Sequence, residues 1–425
     1  MNDGTPTAHH TMPRNEFEEL ARGGGGAEAI ARLVTAQHSK HVHLVRGVAE
    51  MAQRGDRPDD PIGVAGYELL ARVQQQDRAA AEQVIRYPSV GAWALHTLRG
   101  DQSLPGALPS GLAAVAAAAA IKAGIDAEIG VPVVDGTVTL PSLGAAGARG
   151  DTAIIRTGTA EIWSGGVSVT ARPGAAGWQD LRHVRAGSLN VIIDDRDPFR
   201  MPADDGQPTG RLTRTQVTEF AALLRDAWDV LSPASAEEIA AIVRVIVPYQ
   251  APESGHVSTS SPQSFGTVAM SRQPDRYTCA ETLVHETQHL KLCALLDLVT
   301  LTSPDDGQRY YAPWRTDPRP ASGLLQGAYA FLGVSGFWRG QRRVAPELPV
   351  RQRAQAEFAR WRDGAAKVTD TLLNSGQLTP AGQDFVGEMA RVLHEWKCEP
   401  VPRDALELAQ RKASRHLSQW QADNG

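Results

Sequence analysis

Two histidines one helical turn apart are the residues of this sequence with the clearest chemical potential. They are the ends of the run His285-Glu286-Thr287-Gln288-His289. On an α-helix, residues i and i+4 lie on the same face, so their imidazoles can bind one transition-metal ion. Glu286 would point about 100° away, close to anything bound to the metal. The spacing predicts a metal site; the simpler alternative is two hydrogen-bonded core histidines.

The helix that carries this motif is well marked in the sequence. Thr278 and Glu281 have the spacing of a capping box, preceded by a turn at Pro274 and Asp275. Residues 290–299 are mostly apolar, which predicts a helix buried on most sides. Residues 266–271 have a β pattern. A strand beside the metal helix would offer a substrate-binding edge to an extended peptide.

The motif and the residues that follow it resemble a known family, the HExxH-type 2-oxoglutarate-dependent peptide β-hydroxylases. The likeness is strong over residues 265–340 and weaker upstream, where it includes Arg86-Tyr87-Pro88. The segments that carry it are His285 to His289, Lys291-Leu292, Pro313-Trp314-Arg315, Asp317-Pro318-Arg319-Pro320, Gly323-Leu324-Leu325-Gln326-Gly327-Ala328-Tyr329-Ala330 and Phe337-Trp338-Arg339. The resemblance implies iron(II), 2-oxoglutarate and dioxygen, and a ribosomally synthesised precursor peptide that is hydroxylated at a side-chain β-carbon.

A reactive mononuclear iron usually has three protein ligands, so the two histidines need a third. Asp297 is the nearest downstream carboxylate, but a continuous helix would place it about 12 Å along the axis from His289. We therefore expect Asp297 to have a structural role or to support the metal ligands without binding the metal. The facing helix predicted from Gly323 makes Gln326 the candidate third ligand. The further candidates are His256, Glu347, Glu357 and His394.

Arg315 and Arg319 are the candidate cosubstrate-binding residues. A 2-oxoglutarate held on iron leaves a distal carboxylate, which the planar fork of an arginine can bind. The Pro-Trp-Arg and Asp-Pro-Arg-Pro segments would hold such side chains on stiff backbone. We expect one of the two arginines to bind the cosubstrate and the other to pair with Asp317 or Asp297.

Two other functions fit the motif. In a zinc metallopeptidase, Glu286 would be the general base that activates water. No His-x-x-Gly-x-x-His continuation follows His289, which disfavours the best-known peptidase pattern. The chain could also present a peptide to another peptide-tailoring enzyme without catalysing a reaction itself.

Composition restricts the partners. The chain has 425 residues, a formal net charge of −5 and 42% hydrophobic residues. The absence of a long basic run disfavours nucleic acid and anionic membranes. No apolar stretch reaches the roughly 18 residues of a membrane span, and the N-terminus lacks a signal-peptide core, so we expect a cytoplasmic protein. Cys279, Cys293 and Cys398 are too few for a disulfide framework and are expected to be reduced.

The predicted fold is α+β and mainly helical. Helical periodicity covers residues 14–86 and 108–124, with a flexible turn at residues 23–26, and β-type segments broken by glycine fill residues 131–193. The predicted organisation is a helical N-terminal region (1–130), a β-rich antiparallel region (131–205) and a helical metal-binding catalytic region (206–425).

Three further local structures are predicted. Ser235 and Glu238 have the spacing of a second capping box, before a helix over residues 239–247. Thr379 followed by proline predicts another helix start. Residues 194–198 resemble an acidic metal loop, but their spacing fits a solvated turn better.

Overall fold

The fold was analysed in a computed structural model, which describes residues 10–424 except 56, 58, 59, 102, 202–206 and 254. The protein is α+β and helices predominate, as predicted. The prediction that the N-terminus lacks a signal-peptide core concerns residues 1–9 among others. These nine residues lie outside the described residues. Across the described ranges, no helix is both long and apolar enough to cross a bilayer.

The predicted N-terminal helices are confirmed. Their bounds are α1 (Arg14–Ala21), α2 (Gly26–Gln53), α3 (Asp60–Gln76), α4 (Arg78–Ile85), α5 (Pro88–Arg99) and α6 (Leu112–Ala123). The turn between α1 and α2 is not free, in contrast to the flexible turn predicted. The carbonyl of Gly23 accepts hydrogen bonds from Gln288 Nε2 at 2.8 Å and Lys291 Nζ at 3.1 Å. Gly23 has φ +88, and a Cβ there would meet Leu332 at 3.0 Å, so this close contact requires glycine.

Nine strands occupy the region predicted to be β-rich. They are β1 (Glu128–Pro132), β2 (Thr137–Leu140), β3 (Gly144–Gly147), β4 (Thr152–Arg156), β5 (Glu161–Ser164), β6 (Val167–Thr170), β7 (Trp178–Asp180), β8 (Arg182–Ala186) and β9 (Leu189–Ile193). Two sheets, with strand orders β1-β4-β5-β6 and β2-β3-β7, are wholly antiparallel. The antiparallel prediction is confirmed for these two sheets.

A third sheet is mixed and crosses the boundary predicted at residue 205. Its later strands are β10 (Val245–Pro248), β11 (Ser258–Thr259) and β12 (Thr267–Met270), and its order is β11-β12-β10-β9-β8. Strand β10 is parallel to β9 and β12, whereas β11 is antiparallel to β12. Strand β12 confirms the strand predicted at 266–271. Its predicted role as the sheet edge is wrong, because β11 covers that side and is the outer strand of the described sheet.

The mixed sheet lies between two hydrophobic cores. Ile246 of β10 packs in the core that contains the helix of His285 and His289, while its neighbours Val245 and Val247 pack in the core of α3–α6 and the antiparallel sheets. Because alternate side chains of a strand point to opposite faces, a sheet buried on both faces needs a continuous apolar run. Helix α2 also contributes to both cores, through Leu33 in one and Val48 in the other. Packing is therefore continuous across the three predicted regions.

The C-terminal part of the chain is mainly helical, and one of its helices carries His285 and His289. These helices are α7 (Arg214–Trp228), α8 (Pro233–Ile242), α9 (Arg276–Leu296), α10 (Ala321–Val344), α11 (Leu348–Asn374), α12 (Pro380–Lys397) and α13 (Arg403–Asn424). The start predicted at Thr379 is confirmed, since its side chain accepts a hydrogen bond from the amide of Gly382. All three cysteines are free, as predicted.

The two predicted capping boxes are wrong. Helix α9 begins after Asp275, whose carboxylate accepts the amides of Tyr277 and Thr278 at 2.8 and 2.9 Å. A carboxylate can accept several donors, and the Thr278 hydroxyl itself donates to Asp275. Helix α8 begins after Ser232, because Pro233 at the first helical position fixes the start earlier. Residues 245–247, predicted to be helical, instead belong to strand β10.

The solvated turn predicted at residues 194–198 is also wrong. Asp194, Asp195 and Asp197 have relative exposures of 0%, 1% and 4%. Asp194 accepts a hydrogen bond of 2.6 Å from the hydroxyl of Tyr87, at the start of α5. Burial and the adjacent Asp194 raise the pKa of Asp197. The segment directly continues the buried strand β9, so its carboxylates lie inside the protein. There they accept hydrogen bonds and pair with arginines.

Asp195 is the best-paired member of this segment. It accepts hydrogen bonds from Arg211 Nη1 at 2.8 Å and the amide of Leu212 at 2.9 Å, and Arg182 Nη2 lies 3.1 Å away. The Asp195 side chain is fully buried, whereas the side chains of the two arginines are 18% and 29% exposed.

We expect Asp195→Ala to lower the free energy of unfolding by about 3 kcal/mol, because it leaves partly buried arginines without their counter-charge. The matched control is Asp305→Ala, which removes a half-exposed carboxylate paired with Arg309 and should change stability by less than about 0.5 kcal/mol. Urea unfolding of both variants measures the difference. Equal effects would show that the buried cluster contributes no more than a surface ion pair.

Candidate metal centre

Helix α9 presents one partly accessible stripe in an otherwise buried surface. Glu281, His285, His289 and Cys293 follow one another at four-residue spacing and are only partly buried, whereas most of their neighbours on the helix are buried. Four-residue spacing keeps side chains on one face of a helix. Helix α10 packs against α9 and supplies groups opposite this stripe.

The two histidines meet at their Nε2 atoms, which lie 3.1 Å apart. Nitrogen ligands about 2.1 Å from one ion would be roughly 3.0 to 3.4 Å apart for coordination angles between about 90° and about 110°. Burial, and to a lesser degree the neighbouring His289, lower the pKa of His285 well below its usual value, so its ring is neutral at neutral pH. The pair therefore fits two ligands of one metal ion.

Gln326 orients the second histidine. Its Oε1 lies 3.0 Å from Nδ1 of His289, the ring nitrogen remote from His285. If Nδ1 donates this hydrogen bond, the lone pair of His289 is at Nε2, where the two rings meet. The Gln326 amide nitrogen in turn lies 3.5 Å from Cys293 Sγ. The helix predicted to face the motif is confirmed as α10, and it places Gln326 on the outer side of His289.

Glu286 is turned away from the histidine pair toward strand β11. Its Oε1 accepts a hydrogen bond of 2.7 Å from Ser258 Oγ, and its Oε2 accepts one of 2.8 Å from Ser260 Oγ. The residue is only 2% exposed. Both carboxylate oxygens are thus used to join α9 to the outer strand of the mixed sheet.

The carboxylates proposed as third ligands have other partners. Asp297 accepts hydrogen bonds of 2.7 Å from Gln37 and Lys40, in keeping with the structural role expected for it. Glu347 binds Arg276 and Tyr277. Glu357 binds Lys412 at 2.6 Å.

The two histidines proposed as third ligands lie apart from the pair. His394 faces Asp370, with 3.6 Å between Nε2 and Oδ1. His256 is exposed and precedes β11. Partial burial and, after it, the charge of Arg353 lower the pKa of His256. In the part of the chain that the structure describes, no three His, Cys, Asp or Glu side chains form a metal-binding group. The centre shown by the structure is a two-histidine pair.

Arg315 and Arg319 share one carboxylate. Arg315 Nε binds Asp317 Oδ1 at 2.8 Å, and Arg319 Nη1 binds Asp317 Oδ2 at 3.0 Å. The expectation that only one arginine pairs structurally is therefore wrong. The hydrogen bond from Arg315 is the main cause that lowers the pKa of Asp317 to about 2. Because two guanidinium groups share one carboxylate, the trio keeps a net charge of +1.

The sequence reasoning missed the aromatic wall beside the histidines. Phe331 of α10 contacts His285 edge to face, with ring centroids 5.1 Å apart. Phe331 lies between Trp314, at 4.6 Å, and Trp361 of α11, at 4.3 Å. The Pro-Trp-Arg segment thus reaches the histidine pair through Trp314. The sequence shows that Phe331 is an aromatic residue of the predicted facing helix, but not that it contacts His285. Only the packing of α9 against α10 brings the two residues together.

Glu281, predicted as a capping residue, instead lies inside α9 on the histidine face. Its side chain is 21% exposed, and its Oε2 is 4.0 Å from Arg353 Nη2. Burial is the main cause that raises the pKa of Glu281 to about 7; the Trp338 side chain opposes this rise, and the Glu357 carboxylate adds to it. A carboxyl group that can hold a proton at neutral pH therefore lies one turn before His285.

Comparison with known proteins adds no family assignment. No protein-family model matches the chain, and no curated protein matches it.

Glu281 should make stability depend on pH. A carboxyl whose pKa is raised by folding loses stability as pH rises from about 4.5 to about 7, and the full penalty remains above that range. Relative to the native chain, Glu281→Gln should gain up to about 3 kcal/mol between pH 4.5 and about pH 8. Denaturant unfolding at the two pH values measures this gain.

Glu347→Gln is the matched control. Its hydrogen bond from Tyr277 lowers the pKa of Glu347, so this substitution should lose stability relative to the native chain as pH rises. A Glu281→Gln variant that behaves like Glu347→Gln would show that the native carboxyl is ionised.

Proposed function

We propose that this protein is an iron(II)- and 2-oxoglutarate-dependent dioxygenase that hydroxylates the β-carbon of a side chain in a ribosomally synthesised peptide. The observation that carries the proposal is the pair of Nε2 atoms of His285 and His289, 3.1 Å apart on a buried helix. The resemblance over residues 265–340 supports the choice of iron and 2-oxoglutarate. Together these groups supply the oxidising equivalents for inserting one atom of dioxygen into a carbon–hydrogen bond.

The position of Glu286 favours this reading over a zinc peptidase. A general base must reach the water that it activates. Both oxygens of Glu286 instead accept hydrogen bonds from serine hydroxyls. In a hydroxylase that requires no such base, this glutamate has a positioning role: it fixes the rotation of α9 against β11 and so the direction of both histidines.

The Arg315–Asp317–Arg319 trio supports the binding of a dicarboxylate. Its net positive charge suits the distal carboxylate of 2-oxoglutarate. Arg319 binds Asp317 through Nη1, so its Nε and other donors can bind a second partner. Trp314 belongs to the same segment and stacks on Phe331, which contacts His285. The segment that carries Arg315 is thus linked by packing to the histidine pair.

Strand β11 is the proposed docking element for the peptide. It is the outer strand of the mixed sheet and carries Ser258, which binds Glu286 beside the histidines. An extended peptide along this edge would have its side chains spaced at the two-residue period of a strand. The proposed setting is the cytoplasm, where a precursor peptide and other peptide-tailoring enzymes would be encountered.

The test of the function is the conversion of 2-oxoglutarate to succinate. The protein is loaded with iron(II) without oxygen, then given 2-oxoglutarate and air together with a candidate precursor peptide. We expect succinate, and a peptide that gains one oxygen atom with its chain intact. Hydrolysis of the peptide with zinc and without 2-oxoglutarate would support the peptidase instead. Binding of the peptide without either reaction would support the non-catalytic presenting role.

His285→Ala and His289→Ala should each abolish stoichiometric iron(II) binding and succinate formation, because each removes half of the pair. Circular dichroism should show nearly unchanged helix content. His394→Ala, an exposed histidine on α12, is the control and should bind iron like the native chain. Full iron occupancy in either α9 variant would remove the metal from this helix.

Glu286→Gln separates oxygenase from peptidase. Glutamine keeps an acceptor and the size of the side chain, so the serine contacts of α9 can persist. We expect iron to remain bound and succinate still to form at a measurable rate. In a peptidase the same change would reduce hydrolysis by several orders of magnitude, since the base is lost.

A further inference from the structure

A cleft with positively charged walls lies outside the metal centre. It encloses a cavity of about 360 Å³ between α2, the junction of α4 and α5, the end of α6, strands β8 and β9, and the end of α8. Its lining includes exposed Arg86, Lys122, His183 and Arg244 and the less exposed His38 and Ser142. None of its lining residues belongs to α9, α10 or α11. We refer to it as the cationic cleft.

The charge of the cationic cleft is not balanced by its own lining. Arg86, Lys122 and Arg244 give three positive charges, and the described residues that line the cleft include no Asp or Glu. Arg86 reaches one carboxylate, Glu82, at 2.9 Å, but Glu82 is shared with Arg78. Arg244 donates only to the carbonyls of residues 240 and 241 at the end of α8.

Two pairs of basic residues in the lining, Arg86 with Arg244 and Lys122 with His183, lie close enough to interact electrostatically. Desolvation, followed by the charge of Arg86, lowers the pKa of Arg244. Desolvation and then the charge of Lys122 lower the pKa of His183 in the same way. Within the described residues, neither Lys122 nor His183 makes a hydrogen bond or ion pair with its side chain. Juxtaposed cations without a counter-charge are unfavourable unless an anion joins them.

The lining of the cleft also contains polar atoms that lack partners. The hydroxyl of Ser142 and Nε2 of His38 are buried and have no hydrogen-bond partner among the described residues. Ser142 also has φ +65, a left-handed conformation that is uncommon for a serine. Buried polar groups in proteins are nearly always hydrogen-bonded, so unpaired ones call for an acceptor or donor from outside the chain.

The remaining walls are apolar. Phe265, Ile242, Ile192 and Val34 contribute hydrocarbon surface to the cleft. The enclosed volume falls within the range of small-molecule sites, which are mostly apolar with a few polar groups that fix orientation.

We propose that the cationic cleft binds a small organic anion that carries two negative charges on an apolar body. The anionic groups bind Arg86, Arg244 and Lys122, and the Ser142 hydroxyl and His38 Nε2 supply additional hydrogen bonds. The apolar body packs on Phe265 and its neighbours. This site is independent of the proposed hydroxylase reaction, since it shares no residue with the metal helix.

Three small aromatic probes test the proposal by isothermal titration calorimetry on the full chain. Phenyl phosphate and phthalate are both dianions above neutral pH, and benzyl alcohol is their uncharged counterpart. We expect saturable binding of at least one dianion and none of benzyl alcohol. Phenyl phosphate alone would identify phosphate as the anionic group, and phthalate alone would identify carboxylate. Absence of saturable binding by both dianions overturns the proposal.

Substitutions then locate the site. Lys122→Gln and Arg86→Gln should each weaken binding of the dianion by about tenfold or more, the effect of losing one charged hydrogen bond. Both side chains are exposed, so the fold should tolerate the changes. Lys397→Gln, an equivalent change on α12, should leave binding unaltered. Equal affinity in all three variants would place the dianion elsewhere and refute the assignment of the cleft.

Discussion

The burial of helix α9 is the constraint on which the rest of the structure depends. A helix inside a protein core must find partners for each of its polar side chains, since an unpaired buried group is unfavourable by about 1–3 kcal/mol. Three such side chains of α9 bind other parts of the fold. Glu286 binds the serines at β11, Lys291 binds Glu238 of α8, and Gln288 binds the turn between α1 and α2.

These contacts also determine which face of α9 remains accessible. With Glu286, Gln288 and Lys291 engaged on their own sides, only the stripe through His285 and His289 is left partly open. Helix α10 completes this side with Gln326 against His289 and Phe331 against His285. The geometry of the histidine pair is therefore a result of how the remaining polar groups are satisfied.

Some features of this centre can be predicted from the sequence and others cannot. The helix, the pairing of the two histidines on one of its faces and the facing helix follow from local spacing, and the structure shows all three where they were expected. The start of α9 does not follow, because Asp275 and Thr278 are both suitable N-cap residues three positions apart, and only the observed hydrogen bonds show that Asp275 is the cap. The buried state of Asp195 depends on Arg182 and Arg211, which arrive from separate segments. Such long-range pairing has no periodic signal in a sequence.

The partners of α9 come from widely separated parts of the chain, which bears on the order of folding. Gln288 and Lys291 bind the carbonyl of Gly23, across 265 and 268 residues. Closure of such long loops slows folding, and contacts of this kind form after local helices and hairpins. The bond between α9 and the first turn of the chain thus belongs to the last steps of assembly. A nascent chain emerging from the ribosome would retain its N-terminal turn unpaired until α9 has been synthesised.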